Sequence, residues 1–428
     1  MKLRWVTCLA AAATGTRLVP LPQLPPQSED LEHWLHNHIH HTQANDGWAA
    51  YQRQVLDWCA PFWRPEIVSD YDVLLDRDLW EAWSRQTPRF ANFTFVLLPW
   101  HHIVELHGFR RHAPGLNYAP LRDAAELFSK LSPHYPHVVV LSQADRRQIL
   151  VMERRAGGAT AREAHTPGSL SVATPLSDAL SKVAVRFTTR LESLARLSAG
   201  KRPDPHEVPL PLLFRASREV NASSQERIHR IFFRGSCTSK LRNRLARDVV
   251  ATATLAVDVG RCGQGGKSKY PDYAENLQKS LFVLAPRGSY PATFMLGEAV
   301  QAGALAVYVY EAHMIRGKRL GGKRVKGGFR RAPAANETHL SHAAIEAQLP
   351  YANLGLRWGD IGAVATDDEV GALAARLSAL AASDVRRRLR TTAWVRPLFT
   401  SNGARLYVEL VLSSLAKAGA RKPFYDDS

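Results

Sequence analysis

Cysteine is scarce in this chain: four in 428 residues, Cys8, Cys59, Cys237 and Cys262, with no C-x-x-C spacing and no zinc pattern. That excludes a metal ribbon and a disulfide-dense scaffold, and leaves Cys237 with Cys262 as the one pair to test against free thiols. Carboxylates are also short, with 39 Asp and Glu against 56 Lys and Arg, a formal net charge of +17. An excess of this size implies an anionic partner, whether phosphate, nucleic acid, acidic polysaccharide or membrane headgroups, and charge alone does not choose among them. No apolar run reaches the roughly 20 residues of a bilayer span. The nearest, W-V-T-C-L-A-A-A-A after M-K-L-R, reads as a short, weak secretory signal, and Asn-x-Ser/Thr acceptors at Asn92, Asn221 and Asn336 agree with a lumenal place.

What is present is enough apolar material for more than one core. Hydrophobic residues make up 45% of the chain, and at this length two domains of about 200 residues each are the default. We place them at 31–215 and 216–428, after a possible signal segment and a proline-rich linker, Leu18–Ser28, in residues 1–30. "HWLHNHIHH" follows, with His36 and His40 at the i, i+4 spacing that can share a metal. No third ligand follows at a fixed spacing, so an exposed polar helix is the better reading and no metal site is expected.

The first half offers strand-like runs at "YDVLL" (Tyr71–Leu75), "FTFVLLP" (Phe93–Pro99), "HVVVLS" (His137–Ser142) and "QILVM" (Gln148–Met152). Helix-like stretches such as "LRDAAELFSKL" lie between some of them, which fits an α/β domain, and residues 156–175 read as an exposed connection. The second half is clearer: "RIFFRG" is a strand, "SKLRNRLARDVV" a helix with Leu241, Leu245 and Val249 on one face, "TLAVDVG" a strand and "PDYAENLQKS" a helix. "SLFVLAPRGSYPATFMLGEAVQAGALAVYV", Ser280 to Val309, then gives strand, turn, helix and strand, the helix closing on a glycine. Apolar strands alternating with helices describe a parallel sheet covered on both faces, whose ligands sit beyond the carboxyl ends of the strands, where the turn P-R-G-S-Y-P falls.

These blocks, "FRG" with "KLRNRL", Y-x-x-x-L-x-x-S-L-F-x-L-x-P-R-G and T-F-x-L-x-E-A-x-x-A-G-x-x-x-V, resemble the exostosin family of glycosyltransferases. "PHVVVLSQAD", "HEVPLPLLF" and "LPYANLGLRWGDIGAVATDDEVGALAARL", with an Arg-rich helix and "VRPLF", keep the family's order from about Asp46 to Leu412. The resemblance implies a GT-B architecture, two Rossmann-like domains facing a central cleft, with a UDP-sugar held mainly by the C-terminal one. It further implies an inverting transfer of sugar to a glycan or polysaccharide, and because the turn carries Arg287 with no carboxylate between Glu275 and Glu298, the transfer is expected to need no divalent metal. The expected place is the Golgi lumen of the secretory pathway, with membrane association through the N-terminus or a partner.

The residues support a donor site on their own terms. A diphosphate needs backbone N–H groups at a helix start and a cation, and Arg287, Gly288, Ser289 and Thr293 supply both. Glu298, in the following helix, resembles the family carboxylate that accepts hydrogen bonds from ribose hydroxyls. The chain departs from the family at Met295, where Arg is usual, Gly297, where Phe is usual, and Ala306, where Pro is usual. Arg234 and Arg242, at the basic positions of the "FRG" block and its helix, are candidates to replace the missing charge. For the general base of direct displacement two candidates end N-terminal strands, Asp145 and His101 with its neighbour His102.

Three rival signals are weaker. "VDVGRCGQGGKSKY" would be a phosphate loop of a kinase or NTPase only with glycine where Arg261 stands, and Pro271 stops the helix such a loop needs. "SDYDVLLDRD" contains D-x-D twice, at Asp70 with Asp72 and Asp76 with Asp78, yet the second pair reads as caps for the helix "LWEAW". The basic insert Arg316–Arg331 has Phe329 as its one aromatic, so a loop touching an acidic glycan is preferred to a nucleic-acid site.

Overall fold

The structure, a computed structural model, describes residues 21–40, 46–63, 74–85, 93–100, 103–104, 119–134, 137–141, 146–156, 174–181, 183, 185–198, 202–213, 227–234, 241–242, 244–245, 248–249, 257–259, 272–287, 291–310 and 340–417. It is α/β with two parallel sheets. β1 (Thr94–Val96), β2 (His137–Leu141), β3 (Val185–Thr188) and β4 (Glu207–Pro209) lie side by side in chain order. β5 (His229–Phe233), β6 (Val257–Val259), β7 (Ser280–Pro286), β8 (Leu305–Tyr310) and β9 (Gly362–Thr366) form a second sheet in the order β6-β5-β7-β8-β9.

The described residues fall into two compact units, one within Leu18–Arg190, His206–Arg218 and Pro397–Ser428, the other within Leu191–Pro205 and Glu219–Arg396. Neither unit is one continuous stretch of chain. Residues 191–205 belong with the second sheet, and the last helix, Ser401–Lys417, belongs with the first. That helix packs on helices Leu31–His38 and Leu74–Arg85. It buries Leu406, Tyr407, Leu410 and Val411, and its Glu409 Oε1 accepts from Arg405 at 2.7 Å and from Trp83 Nε1 at 3.4 Å.

In the first unit Val96 and Val139 of the sheet pack with Trp100, Leu121, Leu127, Ile149, Met152 and Leu176. One expected strand, and the described end of another, are helical here. "QILVM" lies within helix Arg146–Ala156, where Ile149, Leu150, Val151 and Met152 are all buried; so short an apolar run fits either element, and the helix wins because its length extends over flanking polar residues. "YDVLL" contributes Leu74 and Leu75 to helix Leu74–Arg85, which places Asp76 and Asp78 inside that helix instead of ahead of it. The histidine-rich helix is not polar all round, since Leu31, Trp34 and Leu35 are buried. It ends at His38, with Ile39 extended, so His36 and His40 do not share a helical face.

The centre of the second sheet is largely apolar: every residue of β7 and β8 is buried, and each such Leu, Val or Phe contributes about 1.5–3 kcal/mol of burial. Helix Phe294–Gln301 covers β7 and β8 and stops at Gly303, whose φ of 70° is left-handed backbone that glycine adopts without strain. Numbered from β5, the strand order reads 2-1-3-4-5. The chain winds one way from β5 to β6 and the other way through β7, β8 and β9, so right-handed crossovers put helices on opposite faces. The order reverses between β5 and β7, and in open parallel sheets ligands bind beyond the carboxyl ends of the strands at such a switch point.

Candidate functional site

At that switch point two of the C-terminal site residues expected from the sequence, Arg242 and Arg287, come together. Arg234 directly follows β5 and Arg287 directly follows β7; both are half-buried. The Arg287 amide still donates to Val309 O at 3.0 Å, which extends the β7–β8 ladder one residue past the strand and fixes the start of the turn. Arg242 comes from the helical segment after β5, anchored by buried Leu241, Leu245 and Val249. Its guanidinium lies over the carboxyl end of β7, with Nε donating to Arg287 O at 3.2 Å and Nη2 facing Pro286 O at 3.4 Å.

Burial, and after it the positive charge of Arg287, holds the Arg242 guanidinium below its ordinary range, with Tyr273 acting in the opposite sense. Two cations side by side at a strand end make this a position where an anion relieves repulsion and recovers charge-assisted hydrogen bonds. The far side of the turn is held as well: Tyr308 Oη, buried in β8, donates to Pro291 O at 2.7 Å. Burial and then Tyr310 push the Tyr308 hydroxyl well up, while Arg287 pulls it down, so it is a phenol donor at neutral pH.

After the turn, helix Phe294–Gln301 begins at Thr293, which is buried, has extended backbone and makes no side-chain capping bond to its own helix. The Thr293 hydroxyl therefore does not cap the helix, although Thr293 O accepts from the Leu296 amide at 3.3 Å; amides at a helix start are the groups that bind anions in this position. Glu298 stands in the second helical turn as expected, but it is only 3% exposed and Tyr273 Oη donates to its Oε2 at 2.6 Å. Tyr273 opens helix Tyr273–Gln278, with its ring 5.7 Å from that of Phe232 in β5.

Tyr273 and Tyr308 are the residues the sequence reading passes over as site members. Tyr273 is the tyrosine of the Y-x-x-x-L-x-x-S-L-F block. Met295 and Ala306, where the family has Arg and Pro, are buried at 2% and 0%, so neither reaches the turn as a polar group. The helical segment of Arg242 is also tied to the end of β9, where Arg244 Nη2 donates to Asp367 O at 2.9 Å.

Gly288, Ser289, Asp145, His101, His102, Asp70, Asp72 and the insert 316–331 lie outside the described residues, as do Cys8, Cys237, Cys262 and the three Asn-x-Ser/Thr acceptors. Cys59 is described: it is a buried free thiol in the first core, pushed up to about 12 by burial and so unreactive. Among the described residues no three His, Cys, Asp or Glu side chains lie close enough to hold a metal ion, and no helix is long and apolar enough to cross a membrane. No protein-family model matches the chain, and no curated protein matches it significantly.

Proposed function

We propose that the chain is an exostosin-like glycosyltransferase of GT-B type that moves a sugar from UDP to a glycan or polysaccharide acceptor. The observation that carries this is the pair Arg242 and Arg287, brought together at the switch point of a parallel sheet and followed by a helix start whose threonine hydroxyl does not cap it. A leaving diphosphate develops negative charge, and fixed cations with helix amides stabilise it without reorganising. In this reading Arg242, Arg287 and the amides near Thr293 take the diphosphate, with Gly288 and Ser289 in the turn between. Arg234 faces it from β5, and Glu298 accepts from the ribose. Asp145 or His101 of the N-terminal domain takes the proton of the attacking acceptor hydroxyl, giving inversion. A positive charge of +17 and the insert Arg316–Arg331 favour an acidic acceptor.

One observation favours a second reading, a catalytically weak glycan-binding relative: Tyr273 already engages Glu298, and Met295 stands where the family has arginine. Transfer from a panel of UDP-sugars, assayed with EDTA and then with added manganese, tests the first reading. Turnover that survives chelation supports it. Turnover abolished by EDTA, restored by manganese and lost in Asp70→Ala or Asp72→Ala moves the donor to the other domain, and no turnover with retained glycan binding favours the weak relative.

A further inference from the structure

We propose that the outer face of helix Ala382–Val395 is a second docking site, for an acidic polysaccharide, on the side of its unit away from the candidate donor site. This rests on the reading above in which the acceptor is an acidic glycan. The helix is anchored from within: Val385, Thr391, Thr392 and Val395 are buried, Arg388 Nη1 donates to Gly362 O, and Thr392 Oγ1 donates to Ile361 O at 3.3 Å. These contacts are to the amino end of β9, whereas Arg242 and Arg287 meet at the carboxyl end of β7. β7, β8 and β9 run parallel, so the two ends are opposite sides of one sheet.

What the helix turns outward is positive. Arg386, Arg387 and Arg390 are exposed, and the exposed residues around them, Ala382, Ser383 and Ala393, are small. Arg387 is held in place, with Nη1 donating to Asp360 Oδ1 at 3.0 Å and Nε 3.7 Å from Asp384 Oδ1. The other oxygen of Asp360 accepts from Nε of Arg357 at 2.9 Å, a side chain that is 78% exposed. One carboxylate thus fixes two guanidinium groups side by side. Arg386 and Arg390 pair with no carboxylate among the described residues, although as like charges at i, i+4 they weaken the helix that carries them. Four arginines face Asp360 and Asp384, and Glu346, near Arg357, is half-buried with its carboxyl pushed up by burial. The face keeps a surplus of positive charge that an anionic partner relieves.

Its composition selects among such partners. Every cation on it is arginine, whose planar fork takes a carboxylate or a sulfate through two parallel hydrogen bonds. None of its exposed residues is an aromatic on which a base stacks or a large apolar side chain that enters a bilayer. The small residues between the arginines let a hydrated chain with spaced anionic groups lie against the helix.

The test is the affinity of the intact chain for polygalacturonate, measured by calorimetry over a salt series and compared with Arg386→Ala/Arg390→Ala. The double variant should bind about fivefold or more weakly at low salt and show a shallower salt dependence, since two exposed ion pairs are lost. Arg386→Lys/Arg390→Lys should recover only part of the affinity, because the fork is missing. Arg77→Ala/Lys130→Ala removes the same charge from the first unit and should leave the affinity within about twofold. An equal loss in both alanine pairs means attraction by net charge alone and overturns the site. So does tighter binding to duplex DNA or to phosphatidylserine vesicles that depends on Arg386 and Arg390, since the partner is then of another class. No binding of the intact chain to polygalacturonate or dextran sulfate refutes the proposal outright. A separate UDP titration keeps the two readings apart. Polysaccharide binding through these arginines without UDP binding sinks the donor site and leaves this face standing; UDP binding with polysaccharide affinity unchanged in the double variant sinks this face alone.

Discussion

Replacing Arg242 by alanine separates the two parts this residue plays. Its guanidinium holds the end of β7 through contacts of 3.2 and 3.4 Å to Arg287 O and Pro286 O, and it places a second cation beside Arg287. Hydrogen bonds from a charged donor contribute about 1.5–3 kcal/mol each at good geometry, but these two are at or past the long end of the N–H···O range. Relief of the Arg242–Arg287 repulsion offsets part of the loss. The fold should therefore lose about 1–2 kcal/mol, seen as a lower denaturant midpoint. UDP affinity should fall further, by about 2 kcal/mol or roughly 30-fold, because the proposed diphosphate site loses an arginine and the turn is loosened. Arg242→Lys keeps the charge but lacks the fork that spans two carbonyls, so it should recover more of the affinity than of the stability. A folded Arg242→Ala that binds UDP as tightly as the parent refutes the assignment of the diphosphate to this switch point.

Other outcomes follow from the same geometry. A Cβ at Gly362 would stand 1.8 Å from Ala306 O of the neighbouring strand, whereas one at Gly371 meets nothing within 4 Å. Gly362→Ala should destabilise by about 3 kcal/mol or more, and Gly371→Ala, in helix Val370–Ser378, should stabilise by about 0.5–1 kcal/mol; equal denaturant midpoints for the two would contradict the β8–β9 register. Burial opposes ionisation of Glu369, but the Thr366 amide, the His342 ring and Arg376 outweigh it and hold the carboxyl below its ordinary 4.5. A depressed carboxyl contributes stability that is present above its unfolded value and is lost as pH falls through the folded one. Glu369→Gln should therefore flatten the loss of stability below about pH 4.5; an unchanged profile in an acid titration would show that Glu369 is not part of it.

The second sheet was legible because its sequence repeats one unit: an apolar run of strand length, a polar turn, a helix with apolar residues on one face. β5 through β8 and the glycine that closes helix Phe294–Gln301 all follow that rule. The first sheet follows it less well. "VRFT", now β3, hides as a strand because Arg186 stands in its middle, and only the fold reveals that this arginine is 1% exposed and donates to Leu180 O at 2.8 Å. "QILVM" misleads for the opposite reason, being apolar on every side in a helix packed against the helix Pro175–Ser181 and the core. The allegiance of helix Ser401–Lys417 could not be read either, since an apolar face says that a helix is covered and not which unit covers it.

At the site, the sequence put Arg234, Arg287 and Glu298 at strand ends and in the helix, and spacing suffices for that. It could not show that Arg242 folds over β7 or that Tyr273 covers Glu298, because those contacts join elements whose approach is set by the strand order. Tyr273 and Glu298 are 25 residues apart. Only the crossover of β5, β6 and β7 brings them together.

The most direct test of the central claim is a titration of UDP into the intact chain and into a folded Arg287→Ala variant. The account predicts binding to the first and a loss of about 1.5–3 kcal/mol in the second, the contribution of hydrogen bonds to a charged group. No binding to the intact chain, or equal affinity in both, would contradict it.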